Sequence, residues 1–264
     1  MRRRVHQGGF TLVEAIMVIV ITGIVAGMVA LFIRAPINAY LDSERRAMLT
    51  DIADTAARRI ARDIQSAVPN SVRVDATGNF LEFVPVLTGG RYRASVGPGA
   101  AGDPLDFNSP DSSFDVLGPP IDIPAGAGAN LVIFNQGTDE SNIYRAQTPV
   151  TSSGVGLPTV NFANATLTAP SPGHRFQIAG TPVTYACDPG TRTLWRHAGY
   201  GFQEAQPVSG LGTGVPLATR LASCKFAYAD SALQNNALVS MFLSFSQEDE
   251  TVTLQHQVNV DNVP

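Results

Sequence analysis

An uninterrupted apolar run near the N-terminus constrains this chain more than any other feature. The run covers residues 10–33, a stretch of 24 residues with one formal charge, Glu14. As an α-helix it would be about 36 Å long, more than the roughly 30 Å hydrocarbon core of a bilayer. Arginines at positions 2–4 precede it and place the N-terminus in the cytoplasm by the positive-inside rule. We therefore expect residues 10–34 to cross a membrane and residues 35–264 to form a domain beyond it.

The start of the chain differs from an ordinary secretory signal, in which a small-residue cleavage site follows the apolar segment. Here the small residues Gly8 and Gly9 come before the apolar run. Cleavage after Gly9 would leave the helix in the product, with Phe10 as the new N-terminus and Glu14 as the fifth residue. The first nine residues would be a leader that is removed.

Glu14 is unusual because an ionised side chain within a membrane helix costs roughly 3 kcal/mol unless it is paired. An α-amino group freed by cleavage, on the same chain or on a neighbouring chain, is a suitable counter-charge. A simpler interpretation stays open: a signal-anchor helix whose Glu14 lies near the cytoplasmic interface, where the cost is small.

Residues 9–14, Gly-Phe-Thr-Leu-Val-Glu, lie between the arginines and the apolar helix and resemble the leader of type IV pilins and type II secretion pseudopilins. The resemblance covers about 30 residues. It implies that a prepilin peptidase cleaves between Gly9 and Phe10, that Phe10 is N-methylated, and that Glu14 guides assembly. Implied partners are other pilin or pseudopilin subunits and an inner-membrane assembly platform. The implied location is the inner membrane, with a periplasmic C-terminal domain, and later a pilus or pseudopilus.

The next segment, residues 37–68, keeps helical periodicity beyond Pro36, at which we expect the helix to bend or break. Its aliphatic residues recur every fourth position, which predicts a stripe that covers a sheet. The stripe consists of Ile52, Ala56, Ile60, Ile64 and Val68.

Strand patterns follow the helix. Residues 71–84, 181–197 and 237–260 each predict a hairpin, and residues 131–135 and 143–146 predict short strands. Residues 85–130 are rich in Gly, Pro, Asp and Ser, so we expect a long surface excursion with little regular structure there. Residues 148–172 are also polar and rich in turn residues. A long N-terminal helix on an antiparallel sheet with long loops is an α+β fold, as in pilins.

The C-terminal domain offers few groups for chemistry. Its two cysteines, Cys187 and Cys224, lie where disulfides persist and predict a bridge, although two buried free thiols are the alternative. Aspartates at positions 103–122 are interpreted as solvated loop charges, because their spacing lacks the pattern of a calcium loop. No catalytic or nucleotide-binding motif is found, so we expect no enzyme, no cofactor and no metal.

Net charge argues against nucleic acid as a partner. The chain has 18 basic and 22 acidic residues, a formal charge of −4. The nine-residue leader carries three arginines and no acids, so its loss changes the charge to −7.

Two stretches, residues 185–196 and 254–264, suggest the minor pilin-like proteins of the mannose-sensitive haemagglutinin pilus. A J-type secretion pseudopilin has the same general plan. A third alternative is a filament-borne adhesin or uptake protein whose loops at 85–172 contact a ligand.

Overall fold

The computed structural model describes residues 9–230 and 236–264. The chain divides into two compact units, the first ending at Met48 and the second spanning Leu49–Pro264. A single helix, α1 (Leu12–Gln65), runs through this boundary. Antiparallel sheets follow it, so the predicted α+β class is confirmed.

Fifteen strands follow α1 in the described residues, with one 3-10 turn at Pro98–Ala100. In chain order they are β1 (Arg73–Val74), β2 (Phe80–Phe83), β3 (Val86–Tyr92), β4 (Asp111–Leu117), β5 (Ile121–Ile123), β6 (Asn130–Val132), β7 (Gly154–Leu157), β8 (Thr159–Ala165), β9 (Arg175–Ala179), β10 (Val183–Asp188), β11 (Thr193–Ala198), β12 (Gly214–Thr219), β13 (Leu221–Asp230), β14 (Asn236–Gln247) and β15 (Glu250–Asp261). They form sheets of order β1-β2-β10-β11-β12, β13-β14-β15 and β6-β9-β3-β4-β8, and a separate β5-β7 pair.

Helix α1 is not interrupted at Pro36, where the sequence led us to expect a bend or a break. Proline removes only one main-chain hydrogen bond. The helical segments on both sides of Pro36 are long enough for the helix to continue through it. The helix ends at Gln65, three residues before the predicted end. Beyond it, the Val68 N–H donates to the Val84 carbonyl at 2.8 Å, and Asn70 takes a left-handed conformation with φ 59°.

The second unit has its main core where residues 49–65 of α1 cover two of the sheets. The predicted stripe is confirmed within the helix: Ile60 and Ile64 are fully buried, and Ile52 is half-buried at the margin. Val68 is also buried, but it lies beyond the end of α1 and packs in a separate cluster with Val84. Small residues on the same side of the helix are buried as well, namely Ala53, Ala56, Ala57 and Ala61. Opposite them lie Tyr185 of β10 and Met241 and Phe245 of β14.

The three predicted hairpins are present as β1-β2, β10-β11 and β14-β15. In β15 the predicted alternation is also confirmed, since Val258 and Val260 are buried and Gln257 and Asn259 are exposed. The short strand expected at 143–146 is wrong, because a turn occupies those residues.

The expectation of little regular structure at 85–130 is wrong, and strands also occupy part of 148–172. Strands β3, β4, β6, β8 and β9 build a sheet with its own core, whose buried members are Tyr92, Leu105, Phe114, Ile121, Ile123, Leu131, Val160, Phe162, Phe176 and Ile178. Glycines that suggested a loop lie inside β3. A Cβ on Gly89 would lie 2.8 Å from the Phe176 carbonyl oxygen, so glycine permits close approach of β9.

Candidate assembly site at the N-terminal helix

The proposed processing site lies directly before the helix. Gly9, Phe10 and Thr11 are outside α1, and all three are exposed. Apart from its chain neighbours, no described residue has an atom within 4 Å of the position that a Cβ on Gly9 would occupy. A peptidase needs an accessible, non-helical peptide bond, and the bond between Gly9 and Phe10 has both properties.

Thr11 caps the N-terminal end of the helix. The Thr11 side-chain oxygen accepts a hydrogen bond from the Glu14 N–H at 3.3 Å, and the Thr11 carbonyl accepts one from the Ala15 N–H at 3.2 Å. Threonine at the N-cap and glutamate three residues later is the capping-box sequence. A carboxylate in the first turn is also favoured by the helix dipole. The sequence analysis singles out Glu14 as a charge within a membrane helix but does not identify Thr11, although the Thr-x-x-Glu spacing is visible in the sequence.

The Glu14 carboxylate is exposed, and no cation pairs with it within residues 9–230 and 236–264. Within the first unit α1 therefore presents an acidic group at its N-terminal end and apolar side chains after it. A counter-charge has to come from outside the described part of this chain.

The apolar side chains of α1 between Glu14 and Ile33 are exposed, and nothing in the part of the chain that the structure describes covers them. An 18-residue stretch of α1 has a mean hydropathy of 2.9 and none of it is buried, which makes the helix long and apolar enough to cross a membrane. Large side chains such as Ile19, Leu31 and Phe32 are more than 70% exposed. An apolar surface of this length requires lipid or other apolar helices around it.

In the second unit a polar cluster holds the last turns of α1 to the sheet. The Asp63 carboxylate accepts a hydrogen bond from the Tyr185 hydroxyl at 2.6 Å. Arg59 and Arg196 pair with the same carboxylate at 3.1 and 3.3 Å. Burial, together with the negative charge of Asp63, raises the pKa of Tyr185 well above its ordinary value, so the phenol stays a donor.

A second polar cluster surrounds Glu82, whose side chain is fully buried in β2. Its carboxylate pairs with Arg73 and accepts a hydrogen bond from the Tyr200 hydroxyl at 2.8 Å. Burial raises the pKa of Glu82, and the contacts with Arg73 and Tyr200 oppose that rise. The Arg73 guanidinium also lies 3.6 Å from the ring centroid of Tyr144. Every charge here has a partner within the fold, so the cluster serves structure.

The aspartates between 103 and 115 are also structural, which corrects their interpretation as solvated loop charges. Asp115 accepts from the Asp103 N–H at 3.0 Å and pairs with Arg93 at 3.2 Å. Asp111 accepts from the Asp106 N–H at 2.8 Å. Among the described residues no group of three or more acidic, histidine or cysteine side chains is arranged to hold a metal ion.

A disulfide joins Cys187 of β10 to Cys224 of β13, with 6.0 Å between their Cα atoms. These two strands belong to different sheets of the main core. The bond therefore links the two sheets that α1 covers.

Comparison with protein families gives one match. Residues 4–30 match the prokaryotic N-terminal methylation motif. No curated protein and no solved structure matches the chain. The matched residues include Gly9, Phe10 and Glu14 and most of the exposed apolar helix. The chain thus carries a type IV prepilin leader, which supports a pilin-like or pseudopilin subunit with a structural role.

Proposed function

We propose that this protein is a minor pilin-like subunit that takes part in assembly or initiation of a type IV pilus. Prepilin peptidase cleaves it between Gly9 and Phe10, and Phe10 is N-methylated. The observation that carries the proposal is the methylation motif at residues 4–30, which includes most of an apolar helical segment that the described residues leave uncovered.

Processing leaves the anchor in place. Residues 1–9 form the leader, residues 10–34 the membrane and assembly segment, and residues 35–264 the periplasmic domain. The arginines at positions 2–4 favour a cytoplasmic N-terminus. A periplasmic domain also suits the disulfide between Cys187 and Cys224.

Glu14 guides assembly in this proposal. A subunit that enters a filament moves its apolar helix from lipid into a bundle of similar helices, a step with little hydrophobic driving force. A pair between Glu14 and the α-amino group of a processed neighbour would set the position of one helix along the next. The exposed carboxylate at the start of α1 supports this role.

Among minor pilins, we propose that this protein corresponds to the O-type biogenesis protein of the mannose-sensitive haemagglutinin pilus, because residues 185–196 and 254–264 resemble it. A J-type pseudopilin of type II secretion is the second candidate, with the same assembly chemistry. The neighbouring genes distinguish the two, depending on whether they encode a pilus ATPase or a secretion ATPase.

The test uses the full chain expressed with its filament partners, with and without prepilin peptidase. Intact-mass measurement should find a chain that starts at methylated Phe10 only when the peptidase is present. Glu14→Ala and Glu14→Gln should be cleaved normally, yet their recovery in sheared filaments should fall at least about tenfold. In both variants the α-amino group of the neighbouring subunit loses its partner, and an unpaired charge at membrane depth costs roughly 3 kcal/mol.

Thr11→Val is the matched control, because it removes the capping oxygen and keeps the carboxylate. We expect it to enter filaments nearly as well as the wild type. Equal losses for Thr11→Val and Glu14→Gln would show that Glu14 acts through the helix cap and not through a charge pair. A chain that keeps Met1, or one cut beyond Ile33, would contradict the whole proposal.

A further inference from the structure

Strand β15 has an open side. It is the last strand of its sheet and pairs only with β14 among the described residues. The pairing runs without a register shift from Asn236↔Asp261 to Gln247↔Glu250. In an antiparallel pair every second residue directs its N–H and C=O away from the neighbouring strand. A row of unpaired backbone groups therefore lines this edge.

The other sheet edges are protected in ways that β15 is not. Strands β1, β5, β6 and β7 are two to four residues long. Strand β12 contains Pro216, and β8 has a register shift against β4. Strand β13 is shifted against β14, carries the disulfide, and donates from the Phe226 N–H to the Gly78 carbonyl. Natural proteins block sheet edges by such devices, yet residues 251–260 contain no charge, proline or glycine.

The two faces of β15 specify the side chains of a strand that would pair with it. One face is exposed and neutral, with threonine, glutamine and asparagine at every second position from 251 to 259. On the other face Val252 and Leu254 pack at the margin of the main core and remain partly exposed. A strand that alternates polar and β-branched apolar residues would extend both faces.

The charges at the ends of β15 argue against a second copy of this chain as the source of the added strand. Asp249 and Asp261 are exposed at opposite ends of the strand. Antiparallel pairing of two β15 strands would bring Asp261 of one copy close to Asp249 of the other, at both ends. Like charges placed opposite each other are unfavourable, and the processed chain has a net charge of −7. Basic residues at both ends of the added strand would be favourable.

We propose that β15 binds an extended segment of another protein by strand addition, a segment of about ten residues with an uncharged alternating centre and a basic residue at each end. Its affinity comes from backbone hydrogen bonds along the open edge, and its selectivity comes from the two acidic ends. This proposal does not depend on filament assembly.

Amide hydrogen exchange of the full chain in detergent tests it. The probe is a ten-residue peptide of alternating threonine and valine with an arginine at each end, and the control peptide has glutamate at each end. The arginine peptide should slow exchange about tenfold at every second residue of 251–260 and should leave β12 unchanged. No protection in β15, or equal protection across the whole domain, would overturn the proposal.

A charge variant separates strand addition from unspecific attraction of a basic peptide. Asp249→Lys should weaken binding of the arginine peptide and improve binding of the glutamate peptide. The control Asp51→Lys makes the same change in net charge on an exposed position of α1 and should leave both affinities unchanged. Equal effects of the two variants would show that only net charge matters, which also overturns the proposal.

Discussion

At the scale of single residues, Asp115 shows how one carboxylate organises a segment that has the composition of a loop. It accepts a backbone hydrogen bond from Asp103 and pairs with the Arg93 guanidinium. The Thr159 hydroxyl on β8 lies 3.2 Å from its second oxygen. The backbone hydrogen bond from Asp103, together with Arg93 and Thr159, lowers the pKa of Asp115 below its ordinary value of 3.8.

We expect Asp115→Asn to reduce the free energy of unfolding by about 1 kcal/mol at neutral pH, because a hydrogen-bonded charged acceptor is lost. The folded-state pKa lies below the unfolded-state value, so the stabilisation is fully present above the unfolded value and is lost as pH falls through the folded value. The difference in the free energy of unfolding between the wild type and Asp115→Asn should therefore disappear in acid. Urea unfolding at several pH values measures it, and exposed Asp51→Asn is the control. A difference in the free energy of unfolding that stays constant down to pH 2 would contradict the stabilising role of the ionised Asp115 carboxylate.

The presence of these aspartates was readable from the sequence, but their partners were not. Arg93 and Asp115 are 22 residues apart, and the segment between them gave no strand pattern by which to align them. Thr11 is the opposite case, since its partner Glu14 is three residues away and the cap is a local pattern. The prepilin motif could likewise be recognised because the residues that carry it, 9–14, are consecutive in the sequence.

At the scale of elements, the part of α1 in the second unit depends on a face of small residues. Ala53, Ala56 and Ala57 are each 1% exposed and lie in the main core. A small side chain lets the helix backbone approach the sheet closely, and there is no room for added methyl groups.

We predict that Ala57→Leu lowers the free energy of unfolding by about 1–3 kcal/mol through overpacking. Its neighbour Arg58 provides the control, since it is exposed and its pair with Asp54 is a surface ion pair. Arg58→Leu should change stability by less than about 1 kcal/mol. Thermal unfolding of both variants in detergent gives the comparison, and equal destabilisation would show that the alanine face is not closely packed.

Elements with a strong local period were predicted correctly, and those without one were missed. The helical stripe and the alternation in β15 each extend over ten or more residues. The sheet built on β3 was not predicted because β3 and β4 lie in a segment rich in Gly, Pro, Asp and Ser, and Gly89 and Gly90 fall inside β3 itself. Glycine is required there because β9 passes close to β3, and the first residue of β9, Arg175, lies 85 positions after Gly90.

At the scale of the whole molecule, the disulfide joins two sheets whose shared core is built from distant parts of the chain. The main core combines residues 49–64 of α1 with side chains of β2 and of strands β10 to β15. The 187–224 disulfide closes a loop with a sequence separation of 37. A loop of this size limits the unfolded chain more than the folded one.

We predict that replacing both Cys187 and Cys224 with alanine lowers the free energy of unfolding by about 2–4 kcal/mol, since the unfolded chain gains the freedom that the bond removes. Non-reducing peptide mapping of protein from the periplasm should recover the two cysteine peptides as one linked species. Reduction of the wild type should reproduce the lower stability of the double variant and should leave the variant itself unchanged, which separates loss of the bond from loss of packing. Free thiols at both positions in protein from the periplasm would contradict the prediction. An unfolding midpoint that is the same for the oxidised wild type and the double variant would show that the link adds no stability to a core already held by α1.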